Sequence, residues 1–208
     1  MPTDALDIGD VTAMLAKSAH DLWAAAGELN ALDAQIGDGD LGTSVATLFE
    51  TAISELTEPS SSAGRYLKDF GDSLMRLCSG ASGTLYAALF TALGDELEAN
   101  ETITVGQLAL GFRRGVETVK RLGGASTGDA TMIDAIEPFV QALEEHVDED
   151  IDLTSVLGLA ADAAARGAAS TTDLVARLGR AKGFGDRTLG HVDPGARSFE
   201  VITNAWRE

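Results

Sequence analysis

The sequence predicts an all-α protein. Three observations point there. Alanine, the strongest helix former, accounts for 33 of 208 residues. Apolar residues recur at the spacing of a helix face along most of the chain. Segments with the alternating Val/Ile/Thr pattern of a strand are almost absent; residues 102–105 are the best and are too short to carry a sheet.

Val11, Leu15, Ala19, Leu22, Ala26 and Leu29 fall on one face of a first helix, with Asp10 as its expected N-cap. Residues 43–56 read as a second helix. Residues 62–78 read as a third, with Leu67, Phe70, Leu74 and Leu77 inward. Residues 82–98 make a fourth, apolar over most of its surface. Thr104 caps a fifth that runs to about Arg121. Residues 131–146 make a sixth, with a bend expected at Pro138. Residues 153–169 make an alanine-rich seventh that continues or restarts through Leu178, and residues 196–206 the last. The expected organisation is thus about eight helices in a single domain, residues 1–208. Pro59 with the three serines after it, and the acidic stretch 144–152, read as connections within that domain.

Fifteen basic residues against 33 acidic ones give a net charge of −18. That balance disfavours nucleic acid and anionic membranes as partners. It permits a phosphate ligand only if metal ions, backbone N–H groups or a few placed arginines meet its charge. No apolar run approaches the ~20 residues of a membrane helix, and the acidic N-terminus does not have the form of a secretory signal. The one cysteine, Cys78, cannot make an internal disulfide. A cytoplasmic location is expected.

Four glycine-rich breaks interrupt the helices, at residues 33–42, 79–83, 123–129 and 179–195. The first holds Asp33, Asp38 and Asp40 among Gly37, Gly39 and Gly42. Clustered carboxylates repel unless a cation neutralises them, and hard oxygen donors suit magnesium or calcium. A solvated acidic turn is the alternative. An EF-hand starting at Asp38 fails, because its sixth and twelfth positions hold Thr43 and Phe49. The Gly37-x-Gly39-x-x-Gly42 spacing matches a dinucleotide fingerprint, but a helix precedes it where a strand is required. No Gly-Lys pair occurs, so there is no Walker A loop. At the second break, Gly80, Ala81, Ser82 and Gly83 expose backbone N–H groups at a helix start, which suits phosphate or close helix packing. In the third, Thr131 can donate a hydrogen bond and Met132 can press on a flat base, or Asp129 caps the next helix. The fourth gathers Arg180, Lys182, Arg187 and His191. There Arg180 can pair with phosphate, and His191 is either a general base or a structural loop histidine.

The order of GDGDLG, GASGTLY, GDATMIDAI and GRAKGFGDRTLGHVDPGA resembles the L subunit of dihydroxyacetone kinases, equivalent to the nucleotide-binding domain of single-chain kinases. The resemblance runs from about Leu29 to the last helix. It implies a barrel of eight antiparallel helices with the nucleotide on the loops at one end. Asp33, Asp38 and Asp40 match the family's ligands to two magnesium ions that bridge the phosphates of ATP or ADP. With Arg180 they are the expected catalytic residues. Leu41, Gly42, Thr43 and Ser44 match the contacts that follow the aspartates. Ala81 and Ser82 match the small-residue turn. Gly123 and Met132, beside Thr131, match positions near the base. Arg180 and Asp193, Pro194 and Gly195 match the loop that closes over the nucleotide.

The family binds its ketone on a separate K subunit or domain, and 208 residues leave no room for that domain. A dihydroxyacetone-binding K subunit is therefore the expected partner, with dihydroxyacetone or a short ketose such as erythrulose as acceptor. Members served by a phosphotransferase protein usually have histidine where Leu41 stands, and often lysine where Ala130 stands. Exchangeable ATP is accordingly preferred over permanently bound ADP, with the phosphotransferase route kept as the alternative. The N-terminal domain of fatty-acid kinases usually has asparagine at the Asp33 position. A nucleotide-sensing regulatory module and a homodimer remain open.

Overall fold

The structure is a computed structural model that describes residues 5–56, 60–147, 149 and 151–207. Pro59, and Asp148 and Asp150 of the acidic connection, lie outside the described residues. A two-residue antiparallel pairing joins β1 (Ala5–Leu6) to β2 (Ile103–Thr104). The 102–105 segment thus finds one short partner, the only strand pairing among the described residues.

Helix α1 (Ile8–Ile36) starts before Asp10. Asp7 is its N-cap: the Asp10 N–H donates to the Asp7 carboxylate, and the Asp7 N–H donates to that of Asp10, both at 2.9 Å. Such a reciprocal pair satisfies two donors that the first turn leaves orphaned. The predicted apolar face is buried, and it continues to Asp33 and Ile36.

Helices α2 (Leu41–Ser54), α3 (Ala63–Leu77) and α4 (Gly80–Leu97) follow. Two start two residues earlier than their apolar periodicity indicates, because Leu41-Gly42 and Gly80-Ala81 add no large side chain to the pattern except Leu41. Helix α5 (Val105–Gly123) carries the Thr104 cap with Gln107 in reciprocal position, and Gly124 closes it in the left-handed region at φ 67°. Helix α6 (Ile133–Glu145) runs through Pro138. Pro138 has no N–H for the Asp134 carbonyl. That carbonyl instead lies against Gly167 of α7 (Leu153–Ser170), where an added Cβ would fall 2.0 Å from it. After α7 only a 3₁₀ turn, Thr171–Asp173, precedes irregular chain, so the expected helical continuation to Leu178 does not form. Helix α8 (Pro194–Asn204) begins with proline at its first position, capped by Asp193.

Each helix packs against the next in sequence, and α8 lies between α7 and α1, closing a ring. Glycines permit the closest approach. A Cβ at Gly71 of α3 would fall 2.7 Å from the Phe90 carbonyl oxygen, and one at Gly94 of α4 would fall 2.6 Å from the Lys68 Cα. The core holds two aromatic clusters: Phe49, Phe70, Tyr86 and Phe90 on one side, and Phe112, Phe139, Phe199 and Trp206 on the other. Among the described residues no helix is long and apolar enough to cross a membrane.

Candidate functional site

Because neighbouring helices alternate in direction, one end of the ring collects the starts of α2, α4, α6 and α8 and the ends of α1 and α5. A cleft of about 550 Å³ lies there. Four helix N-termini facing one cleft favour an anion, despite the charge of the whole chain. The N-cap side chains of α2 and α4 make no cap bond; at α2 the Leu41 and Thr43 N–H groups donate instead to Asp33 and Asn30 of α1.

Asp33 sits in the last turn of α1, not in the loop where the sequence reading begins it, and is buried. Its Oδ2 accepts from the N–H groups of Gly39 at 2.8 Å, Asp40 at 3.1 Å and Leu41 at 3.4 Å. Those bonds fold the 37–40 turn around one carboxylate. Gly37 has to be glycine for close approach: a Cβ there would lie 2.2 Å from Asp33 Oδ1. The turn brings one oxygen each of Asp33, Asp38 and Asp40 within 4.8 Å of one another. Three oxygen donors of this kind, two of them exposed, fit a hard divalent cation such as magnesium.

Arg180 pairs with Asp38. Lost hydration raises the Asp38 carboxyl, but the Arg180 hydrogen bond and charge outweigh it and hold it below the ordinary aspartate value. Asp193 behaves in the opposite way. Burial pushes it up to about 7, reinforced by the charges of Asp134 and Asp33 and opposed by hydrogen bonds from Ala196 and Gly195.

Leu41, Ser44, Ala81, Ser82, Gly123, Thr131, Met132, Arg180, Asp193, Pro194 and Gly195 line the same cleft as the three aspartates. Gly42 and Thr43 do not line it. A Cβ at Gly42 would fall 2.4 Å from the Ala26 carbonyl oxygen, and Thr43 exchanges hydrogen bonds with Asn30 at 2.8 and 3.1 Å. Both hold the start of α2 against α1. His191 is also outside the lining, with its N–H donating to the Thr188 carbonyl at 3.2 Å.

A family model described as the DAK2 domain matches residues 35–208. The chain belongs to the DAK2-domain family. It is 37% identical over 178 residues to the D-erythrulose kinase of Mycolicibacterium smegmatis, covering 84% of this chain and 30% of that protein. It is 34% identical over 171 residues to the ADP-binding subunit DhaL of the PEP-dependent dihydroxyacetone kinase of Escherichia coli, covering 82% of this chain and 81% of that one. The crystal structure of the dihydroxyacetone kinase from C. freundii in complex with AMP-PNP and Mg2+ superposes with a TM-score of 0.74 at 28% identity, covering 95% of this chain and 33% of that one. The chain therefore spans about a third of the length of the long kinases and about four-fifths of the DhaL subunit. Its all-α architecture is that of the DAK2-type dihydroxyacetone kinases.

Two features of this DAK2 domain escaped the sequence reading. Asp134, buried near the start of α6, accepts from the N–H groups of Gly128 at 2.5 Å and Thr131 at 2.9 Å. It holds the 128–131 turn, while Asp129, the residue expected to cap the helix, bonds back to the Ser126 N–H at 2.8 Å. The Thr131-x-x-Asp134 spacing was the available signal, being that of a capping box. Ala130 in the same turn has φ 56°, the one non-glycine residue at positive φ among those described. Such strain persists only where surroundings enforce it. The other feature is an apolar wall, to which Leu85, Val119, Leu122 and Leu178 contribute beside Met132.

Proposed function

We propose that this chain is the nucleotide-binding subunit of a dihydroxyacetone-type kinase, with residues 1–208 acting as one nucleotide-binding domain. Its phosphoryl acceptor is a hydroxyl of a short ketose held by a separate K subunit. The observation that carries the reading is the Asp33, Asp38 and Asp40 cluster facing an apolar wall across a cleft ringed by four helix N-termini.

Asp33, Asp38 and Asp40 would hold magnesium, two ions by family resemblance, which when bound supplies neutralisation of phosphate charge. Asp33 keeps one oxygen committed to three N–H groups, so its other oxygen is held in a fixed direction. The N–H groups around Ala81 and Ser82, at the uncapped start of α4, meet the phosphates, with Leu41 and Ser44 beside them at α2. Arg180 leaves Asp38 to contact the phosphates, and Asp193, Pro194 and Gly195 belong with it to the loop that closes over them. Gly123, Thr131 and Met132 bound the base. Gly42 and Thr43 act by holding the start of α2. The donor is exchangeable ATP, supported by Leu41 and Ala130 standing where phosphotransferase-linked members usually carry histidine and lysine.

The test is reconstitution. The purified chain, a dihydroxyacetone-binding K subunit from a related bacterial system, Mg-ATP and dihydroxyacetone should together form ADP and ketose phosphate, whereas either protein alone should not. Ketone phosphorylation by this chain alone would contradict the divided arrangement.

A further inference from the structure

We infer that the site does not discriminate between purine bases and accepts adenine and guanine nucleoside triphosphates alike. This rests on the nucleotide reading above. Ring order places α1 and α2 across the cleft from α5 and α6. The charged side chains that line it are Asp33, Asp38, Asp40, Asp193 and Arg180. Arg180 is tied to Asp38, and Asp193 caps α8, so these charges border the phosphate end.

The opposite wall is apolar: Leu85, Val119, Leu122, Ala125 and Met132, with Gly123 among them. Leu85 Cδ2 lies 3.5 Å from where a Cβ on Gly123 would sit. Among the described residues no asparagine, glutamine, lysine, glutamate or histidine lines the cleft. The Thr84 and Thr131 hydroxyls also line the cleft; each has one bond already, and a rotatable hydroxyl donates or accepts alike, so it fixes neither edge of a base. Thr84 donates to the Gly80 carbonyl at 2.7 Å, and Thr131 accepts from the Ile133 N–H at 3.3 Å. Several main-chain donors in the neighbouring loop are likewise committed: Gly124 to the Lys120 carbonyl, and Gly128 and Thr131 to Asp134.

Adenine and guanine differ at their hydrogen-bonding edges: the 6-amino group and N1 acceptor of one against the 6-oxo group, N1–H and 2-amino group of the other. Telling them apart requires a fixed donor or acceptor at that edge. Sites built with one reject the wrong ligand by about 10⁴–10⁵, whereas an apolar wall meets only the ring faces that the two bases share and imposes no such penalty. Stacking on an apolar or aromatic surface is tolerant of base identity. Leu122 is 56% exposed, so the outer edge of the wall opens to water and either base keeps its polar edge hydrated.

Calorimetric titration of the full chain with ATP, GTP and ITP in excess magnesium tests this. The dissociation constants for the three should agree within about tenfold. A ratio above tenfold in any direction overturns the inference and assigns base reading to main-chain groups of the cleft, while the nucleotide site itself stands. Binding of none of the three overturns both.

Discussion

Arg180 and Asp38 form an ion pair across the mouth of the cleft, with side chains 62% and 49% exposed. The guanidinium occupies the neighbourhood of a carboxylate that a divalent cation would also claim. Arg180 and the cation therefore compete for Asp38 in the nucleotide-free chain.

The first prediction follows from that competition. Arg180→Ala should leave the unfolding midpoint almost unchanged, because exposed pairs add little stability. It should tighten magnesium binding in the absence of nucleotide. It should also weaken Mg-ATP binding by roughly tenfold or more, the usual worth of a charge-assisted contact to phosphate. Titration calorimetry with magnesium alone, then with Mg-ATP, separates the two effects.

Gly37→Ala should damage the metal cluster without unfolding the helix before it. Its φ of −150° is ordinary, so the cost is spatial: the new methyl group overlaps Asp33 Oδ1. Moving that carboxylate by about 1 Å should reduce magnesium-dependent nucleotide binding roughly ten- to a hundredfold. Circular dichroism should show unchanged helix content. Unaltered magnesium dependence would show that Asp33 does not need its observed position.

Asp134→Ala should both destabilise the chain and loosen the base side of the cleft. It leaves the N–H groups of Gly128 and Thr131 without their acceptor, at a cost of about 2–3 kcal/mol. Urea denaturation measures the first effect. A raised KM for nucleotide in the reconstituted kinase measures the second, and Asp134→Asn, which keeps one acceptor oxygen, should recover part of both.

Periodicity made the helices legible because their buried faces are continuous: the Val11-to-Leu29 stripe is buried as read. The ends were less legible. Asp7 and Asp10 cap each other, and either alone fits an N-cap, so the choice depends on a backbone turn that spacing does not report. Asp33 looks like a loop residue beside Gly37 and Gly39, yet it is held within the last turn of α1 by bonds from residues six to eight positions on. The site's charged and glycine-rich parts were visible as motifs. Its apolar wall was not, since Leu85, Val119 and Leu122 look like any core residues until the ring brings α4 and α5 together at the cleft. Closure of α8 onto α1 is likewise a tertiary fact with no local signature.

Glu137 gives a pH prediction away from the carboxylate cluster. It is nearly buried on α6 and is held by Lys120 at 2.5 Å and Arg113 at 2.8 Å, both from α5. Burial raises its carboxyl, but those two cations more than reverse the shift and leave it below the ordinary glutamate value of 4.5. A depressed acid stabilises the fold above its unfolded value, and that contribution disappears as pH falls through the folded value. Glu137→Gln should thus cost about 1–3 kcal/mol at neutral pH. The gap between wild type and variant should narrow on acidification below about 4.5. A gap that widened in acid would contradict the assignment.

Nucleotide binding to the purified chain, with magnesium and then with a chelator, tests the central claim most directly. One ATP should bind per chain in magnesium, and it should be lost on chelation and in Asp38→Ala. Absence of binding in magnesium, or binding indifferent to both the chelator and Asp38→Ala, would contradict that claim.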